Sequence, residues 1–291
     1  MPLHWLSQYR SFGRVGRYKN EKLDMYDFKY HRPTSIDQAL EIFSNSEDAS
    51  YLAGGHTLLP SMKQRLAAPK DIIDLGGISS LVSIKSESDE LVIGALTNHD
   101  EVATSALVSR EIPSIAKLAS NIGDAQVRNR GTIGGSIANS DPAADYPAAV
   151  LGLGALLVTN KRVIKADDFF VDMFETALEE GEILQEIKFP KPDMSAYQKL
   201  PNPASRYAVV GVFIASRNGA VRVAITGAAP SVFRAPELES RLSESFSVEA
   251  IENVALESEL MNHDMHASAA YRASLCVVMA KRAVADMLKI S

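Results

Sequence analysis

Two pairs of adjacent glycines constrain this chain more than any other feature: Ala53-Gly54-Gly55-His56-Thr57-Leu58-Leu59-Pro60 and Gly131-Thr132-Ile133-Gly134-Gly135-Ser136. Each pair is expected to close a strand-like run and to open a helix or tight turn. Adjacent glycines lack two Cβ atoms, so the backbone can take positive φ and turn its N–H groups outward. At a turn or a helix N-terminus such groups suit a phosphate. One double glycine alone reads first as a structural turn. Two of them, far apart in sequence, can clasp a diphosphate from both sides.

The 291 residues suffice for a large core and for two or three subdomains. A formal net charge of −6 argues against nucleic acid or an anionic membrane as partner. It also gives an anionic ligand no help from the global field, so a phosphate site must be local. No apolar run approaches the ~18 residues of a membrane span. The single cysteine, Cys276, excludes a disulfide framework, a cysteine-based zinc site and a self-contained iron–sulfur cluster. A cytoplasmic, reduced setting is the expectation. Cys276 lies in an apolar helical pattern and reads as core.

Taken in order, residues 1–24 carry Arg10, Arg14, Arg17, Lys19 and Lys22 and the only tryptophan, Trp5. They lack the apolar centre of a signal peptide and read as an N-terminal extension, or as an arm that packs on another subunit. Residues 25–75 read as a β-α-β-α-β unit. Strands are expected at 28–30, 50–53 and 71–75, with a helix opened by a Ser35/Gln38 capping box and a short helix at 62–66. Residues 76–196 form a second unit. A hairpin joins 81–85 to 90–93, Asn98 and Glu101 cap a short helix, and a further helix runs over 112–121. Asp141 before Pro142, with Pro147 beyond, fits a helix N-cap and first turn, continued by an apolar helix at 148–153. Strands follow at 155–159, 162–165 and 182–189. Residues 197–291 read as a separate α+β unit. Its strands at 208–215 and 220–226 flank Asn218-Gly219, a strong hairpin signal. Helices are expected at 236–242, 248–256 and 267–288.

No GxGxxG follows a strand, and no phosphate-loop, GxSxG or HExxH motif occurs. His263 and His266 stand three apart without a third ligand nearby, which fits a helix-start loop better than a metal site. The glycine loops therefore carry the functional reading. The first, with Met62, Lys63 and Arg65 after it, resembles an AGGxxLxPxMKxR motif. The stretch Gln126 to Asn139, with Asp141, Pro142 and Asp145, resembles the second motif of the same family. Together they are similar to the FAD-binding medium subunit of molybdenum hydroxylases, the carbon monoxide dehydrogenase and xanthine dehydrogenase family, from about Met25 to the C-terminus.

The resemblance implies an α+β fold. A two-part FAD-binding domain of the vanillyl-alcohol-oxidase/PCMH type (25–75 and 76–196) is followed by a C-terminal CO-dehydrogenase-flavoprotein-like α+β domain with a small antiparallel sheet and helices (197–291). It implies that Ala53, Gly54, Gly55, His56, Thr57 and Leu58 bind the cofactor from one side. Thr132, Ile133, Gly134, Gly135, Ser136 and Asn139 would do so from the other. Asp145 would take a ribose hydroxyl or adenine amine, because a carboxylate repels a diphosphate. Ile183 and Leu184 match backbone contacts on the adenine side. Lys199 and Tyr207 match positions near the isoalloxazine. Asn139 and Asp141 equally fit turn roles, and Arg128 and Arg130 fit loop bracing or a partner surface.

In more distant flavin oxidases a histidine in such a glycine turn is joined to the flavin. The family resembled here implies non-covalent FAD, so His56 is expected unlinked, with no catalytic or metal-binding residue of the chain's own. Molybdopterin and [2Fe-2S] clusters would sit only on partners, a molybdopterin-binding large subunit and a [2Fe-2S] small subunit. In the family the three subunits form a dimer of heterotrimers. The chain would be their electron-transfer oxidoreductase subunit. A single cysteine leaves no room for the cysteine-rich insertion of the 4-hydroxybenzoyl-CoA reductases. Two other readings stand beside it: a stand-alone flavin oxidoreductase with its own substrate, and a flavin-free scaffold subunit.

Overall fold

A computed structural model describes residues 25–290. The expected extension at 1–24 lies outside the described residues. The first unit comprises β1 (Lys29–His31), α1 (Ile36–Ser44), β2 (Ala49–Leu52), α2 (Leu58–Lys63) and β3 (Asp71–Asp74). Its strands form a parallel sheet of order β1-β3-β2. The Ser35 hydroxyl caps α1 by accepting the Gln38 N–H at 3.3 Å. The capping box is only half made, because Gln38 Oε1 accepts from the Thr34 N–H and hydroxyl instead. α2 starts directly after the first glycine pair, earlier than the sequence suggests, with Pro60 in its first turn, where no N–H is needed.

The second unit runs through β4 (Ile84–Ser86), β5 (Glu90–Gly94), α3 (His99–Thr104), α4 (Ala106–Glu111), α5 (Pro113–Ser120), α6 (Ala125–Arg128), α7 (Ile133–Asn139) and α8 (Tyr146–Leu153). It continues with β6 (Leu156–Thr159), β7 (Val163–Lys165), the small hairpin β8 (Phe170–Asp172) and β9 (Glu175–Thr176), and β10 (Leu184–Pro190). The main sheet is antiparallel, of order β4-β5-β10-β6-β7. Asn98 and Glu101 form the expected reciprocal box at the start of α3, at 2.8 and 3.1 Å.

Two sequence expectations need correction here. The second glycine pair does not follow a strand. It lies in the first turn of α7, after α6 and an isolated bridge between Asn98 and Thr132. Nor does Asp141 cap the helix that follows. Its carboxylate accepts the Ala143 N–H at 2.9 Å in a local turn, and α8 begins only after Asp145.

The third unit holds β11 (Met194–Pro201), β12 (Ala208–Arg217), β13 (Ala220–Thr226), β14 (Phe233–Arg234), α9 (Pro236–Glu244) and α10 (Ala269–Ile290), with an antiparallel sheet in sequence order. β12 reads as an unbroken apolar run because both faces are covered. Val212 and Ile214 pack with α9 and α10, and the intervening Phe213 and Ala215 pack with α8. α8, buried along its whole length, is the shared wall between the second and third units. An all-apolar helix surface is what such a position demands. Cys276 is buried in the α9–α10 core, and burial pushes its thiol up to about 12. The helix expected over 248–256 shrinks to a single turn, Glu249–Ile251. The β-branched Val248, Ile251 and Val254 favour such a short element over a continued helix. No helix among the described residues is long and apolar enough to cross a membrane.

Candidate cofactor site

A cavity of about 500 Å³ opens where the three units meet. The first unit lines it with residues 51–58, the second with both turns around α7 and the start of β10, and the third with Ser205, Arg206 and Tyr207. The glycines explain how the loops come so close. A Cβ on Gly54 would lie 2.2 Å from the Arg130 carbonyl oxygen and 2.8 Å from Gly131 Cα, so the two loops touch backbone to backbone. A Cβ on Gly134 would meet Ala95 Cβ at 2.5 Å. Gly55 takes a φ of +77°, the left-handed turn that starts α2.

The two loops differ in how their N–H groups are used. The N–H groups of Gly54, Gly55, His56, Thr57 and Leu58 have no acceptor among the described residues. Those of Thr57 and Leu58 are orphan donors of a helix start, where the peptide dipoles also favour an anion, and those of Gly54, Gly55 and His56 lie in the turn that leads into it. In the second loop, Ile133, Gly134, Gly135 and Ser136 donate to Thr97 O, Ala95 O, Thr132 Oγ1 and Thr132 O at 2.8–3.1 Å. The expected symmetric clasp is therefore corrected. The first loop supplies backbone donors. The second supplies close packing, the Thr132 N–H and the Ser136 hydroxyl, neither of which has a partner among the described residues.

Of the residues singled out from sequence, Ala53, Gly54, Gly55, His56, Thr57, Leu58, Thr132, Gly134, Gly135, Ser136, Asn139, Asp145, Leu184 and Tyr207 line the cavity. So do Asp141 and Ile183. Two do not. Ile133 is fully buried in the core of the second unit. Lys199 stands behind the wall, its side chain 7% exposed, against the Asp145 carboxylate at 2.9 Å. Asp145 also accepts the Tyr197 hydroxyl. Burial pushes the Asp145 carboxyl up, and Lys199 and Tyr197 pull it back. Burial raises the Asp141 carboxyl as well.

Among the wall residues that the sequence did not single out are His99, Arg206 and Glu182. His99, the first residue of α3, is 5% exposed. Burial, then the charges of His56 and Arg128, lower its pKa to about 4, so the ring is neutral near pH 7. It fills the space beside Gly131, where a Cβ would sit 2.6 Å from Nε2. The Asn98 capping box placed His99 at a helix start, but no motif marked its inward direction. Arg206, with a φ of +62°, ends the turn before Tyr207. Glu182 is a buried carboxylate braced by Arg162 at 3.1 and 3.2 Å, the Thr159 hydroxyl at 2.6 Å and the Glu179 N–H at 2.8 Å. Burial opposes its ionisation, but these donors outweigh it and hold the carboxyl at about 2.

A folded-state pKa below the unfolded one means that the contribution of Glu182 is complete above about pH 4.5 and is lost as pH falls toward 2. Glu182→Gln should therefore flatten the acid limb of a stability-versus-pH curve measured by denaturant melts between pH 5 and 2. An unchanged acid limb contradicts the assignment.

Comparison with known proteins gives concordant matches. Residues 26–192 match the family described as the FAD binding domain in molybdopterin dehydrogenase, and residues 195–287 match the CO dehydrogenase flavoprotein C-terminal domain. The carbon monoxide dehydrogenase medium chain of Hydrogenophaga pseudoflava is 35% identical over 274 residues, covering 88% of this chain and 96% of that one. The xanthine dehydrogenase FAD-binding subunit of Escherichia coli O157:H7 is 26% identical over 282 residues, covering 90% and 97%. Among solved structures, a chain of the Cu,Mo-CO dehydrogenase in its cyanide-inactivated form superposes with a TM-score of 0.85 at 34% identity, covering 92% of this chain and all of that one.

Proposed function

This chain belongs to the family of FAD-binding domains of molybdopterin dehydrogenases, and we propose that it is the medium subunit that carries electrons within such an oxidoreductase complex. The observation that carries this reading is the row of unpaired N–H groups from Gly54 to Leu58, at a helix start, facing a cavity that all three units close. These donors and the Ser136 hydroxyl fit a diphosphate. Each charge-assisted hydrogen bond contributes about 1.5–3 kcal/mol. Asp141 and Asp145 also line the cavity. Their carboxyl groups suit a ribose hydroxyl or adenine amine rather than a phosphate beside them. Ile183 and Leu184 offer an apolar strand start to the adenine side, and the half-exposed Tyr207 ring flanks the flavin side. Ile133 and Lys199 drop out of the binding set.

Bound FAD supplies the exchange between one-electron carriers and a two-electron acceptor. The chain's own part is to hold and orient the cofactor and to exclude water from it. With one cysteine in the sequence, it has no cluster of its own, so electrons come from a [2Fe-2S] small subunit served by a molybdopterin-binding large subunit in the cytoplasm. The division of work runs with the boundaries 25–75, 76–196 and 197–291. Mixing the FAD-loaded chain anaerobically with the reduced [2Fe-2S] partner should bleach the flavin band. Failure to bleach in an intact complex, or substrate turnover by the isolated chain, contradicts the reading.

The cofactor is held without a covalent bond. Acid precipitation of the holoprotein should leave the yellow colour in the supernatant, and a yellow pellet would assign a covalent link, with His56 the histidine of the loop to examine first.

A further inference from the structure

Lys199 sits on β11 two residues from Tyr197, so both side chains leave the sheet on the face toward α8. Its ammonium has three N–H groups. All three are engaged: one meets the Asn121 carbonyl at 3.0 Å, one the Arg206 carbonyl at 2.9 Å and one the Asp145 carboxylate. These acceptors come from three pieces of the cavity wall. Asn121 ends α5 and leads into Ile122 and Gly123, Asp145 precedes α8, and Arg206 precedes Tyr207.

Beyond Lys199, the turn from Asn202 to Tyr207 is held by its own bonds and by two at its ends, Asn202 Nδ2 with His266 Nδ1 at 3.2 Å and the Ala208 N–H, just past the turn, donating to Ala143 O at 3.2 Å. Asn202 Oδ1 accepts from the Ala204 and Ser205 N–H groups, and the Asn202 N–H donates to Tyr207 O. The internal bonds fix the shape of the turn and the two end bonds anchor its base, while Lys199 alone among these reaches the Arg206 carbonyl beside Tyr207. Among the bonds of Lys199, the one to Arg206 O joins the turn to the second unit through Asp145.

We propose that Lys199 is a positioning residue: it ties the end of α5, Asp145 and the Asn202–Tyr207 turn together, and so keeps Tyr207 at the cavity without touching the cofactor itself. The inference rests on the FAD reading for its consequence, but the tie itself can be measured in the cofactor-free chain.

The test uses the full chain and three variants, Lys199→Met, Lys199→Arg and the double variant Asp145→Asn with Lys199→Met. In the cofactor-free protein, trypsin cleavage after Arg206, followed by mass spectrometry, should be at least tenfold faster in Lys199→Met than in wild type. Lys199→Arg, which keeps the charge and the donors, should recover part of the protection. FAD affinity of Lys199→Met should fall at least tenfold, while the midpoint potential of the flavin that still binds stays at the wild-type value. An ammonium that touched the flavin would shift that potential when removed. Unchanged cleavage at Arg206, or a shifted potential, overturns the proposal. The double variant leaves no unpaired buried carboxylate, so it reports on the turn if Lys199→Met alone does not fold. Protection at Arg206 in the double variant likewise overturns the tie. Failure of wild type to bind FAD would remove the FAD reading and leave the cleavage result standing.

Discussion

Gly54→Ala yields a folded chain that retains little or no FAD. The added Cβ would stand 2.2 Å from the Arg130 carbonyl oxygen and 2.8 Å from both Arg130 C and Gly131 Cα, all backbone atoms that no rotamer change can move. Carbon and oxygen meet comfortably at about 3.3 Å, so the two loops must part by roughly 1 Å. Overpacking of this kind costs about 1–3 kcal/mol. A displacement of about 1 Å in a positioned site costs on the order of a hundredfold. The same substitution at Gly55 is a useful contrast. Its Cβ would meet the end of the Leu59 side chain at 2.9 Å, which can rotate away, so the main cost is the φ of +77°. That conformation costs about 1–2 kcal/mol for a residue with a Cβ. FAD titrations should therefore rank wild type above Gly55→Ala and Gly55→Ala above Gly54→Ala. Equal binding by Gly54→Ala and wild type contradicts the loop contact.

Arg272→Met should lower the melting temperature by more than any surface change and weaken FAD retention from a distance. Arg272, 3% exposed at the start of α10, donates to Val209 O at 2.5 Å, Gly227 O at 2.8 Å and Asp264 at 2.6 Å. Gly227 N–H in turn donates to Pro142 O at 2.7 Å, and the neighbouring Thr226 hydroxyl reaches Ala144 O at 2.7 Å. The arginine thus holds the strand ends that grip the 141–145 turn of the cavity wall. Methionine fills much of the volume but leaves two buried carbonyls short of a donor, at about 1–3 kcal/mol each. A drop of roughly 4–24 °C follows at about 2–4 °C per kcal/mol. Differential scanning calorimetry checks it, and an unchanged melting temperature contradicts the role.

The sequence carried the local rules that depend on neighbours in the chain. The Asn98/Glu101 box, the Asn218-Gly219 hairpin and the β-α-β-α-β order of the first unit were all legible, because caps, turns and short crossovers are set by a few adjacent residues. It failed where the deciding contact was distant. Gly134 and Gly135 resembled a phosphate turn, yet Ala95, Thr97 and Thr132 take most of the N–H groups of that helix start. Asp141 looked like a helix cap, yet the β13 end at Thr226 and Gly227 holds the 141–145 turn apart from α8. β11, with its mixed Met-Ser-Ala-Tyr-Gln-Lys-Leu-Pro pattern, gave no periodic signal because its two faces meet α10 and α8-side polar partners. Lys199 was expected near the isoalloxazine, yet its side chain lies behind the cavity wall, because its three acceptors come from separate parts of the chain.

The central claim is that the first glycine loop holds a diphosphate through its unpaired N–H groups. Competition against FAD bound to the wild-type chain, with ADP and with adenosine, tests it most directly, because the two competitors differ only in the diphosphate. Two charge-assisted hydrogen bonds at about 1.5 kcal/mol each correspond to about a hundredfold. The account predicts that ADP displaces FAD at least a hundredfold better than adenosine does. Equal displacement by the two would contradict it.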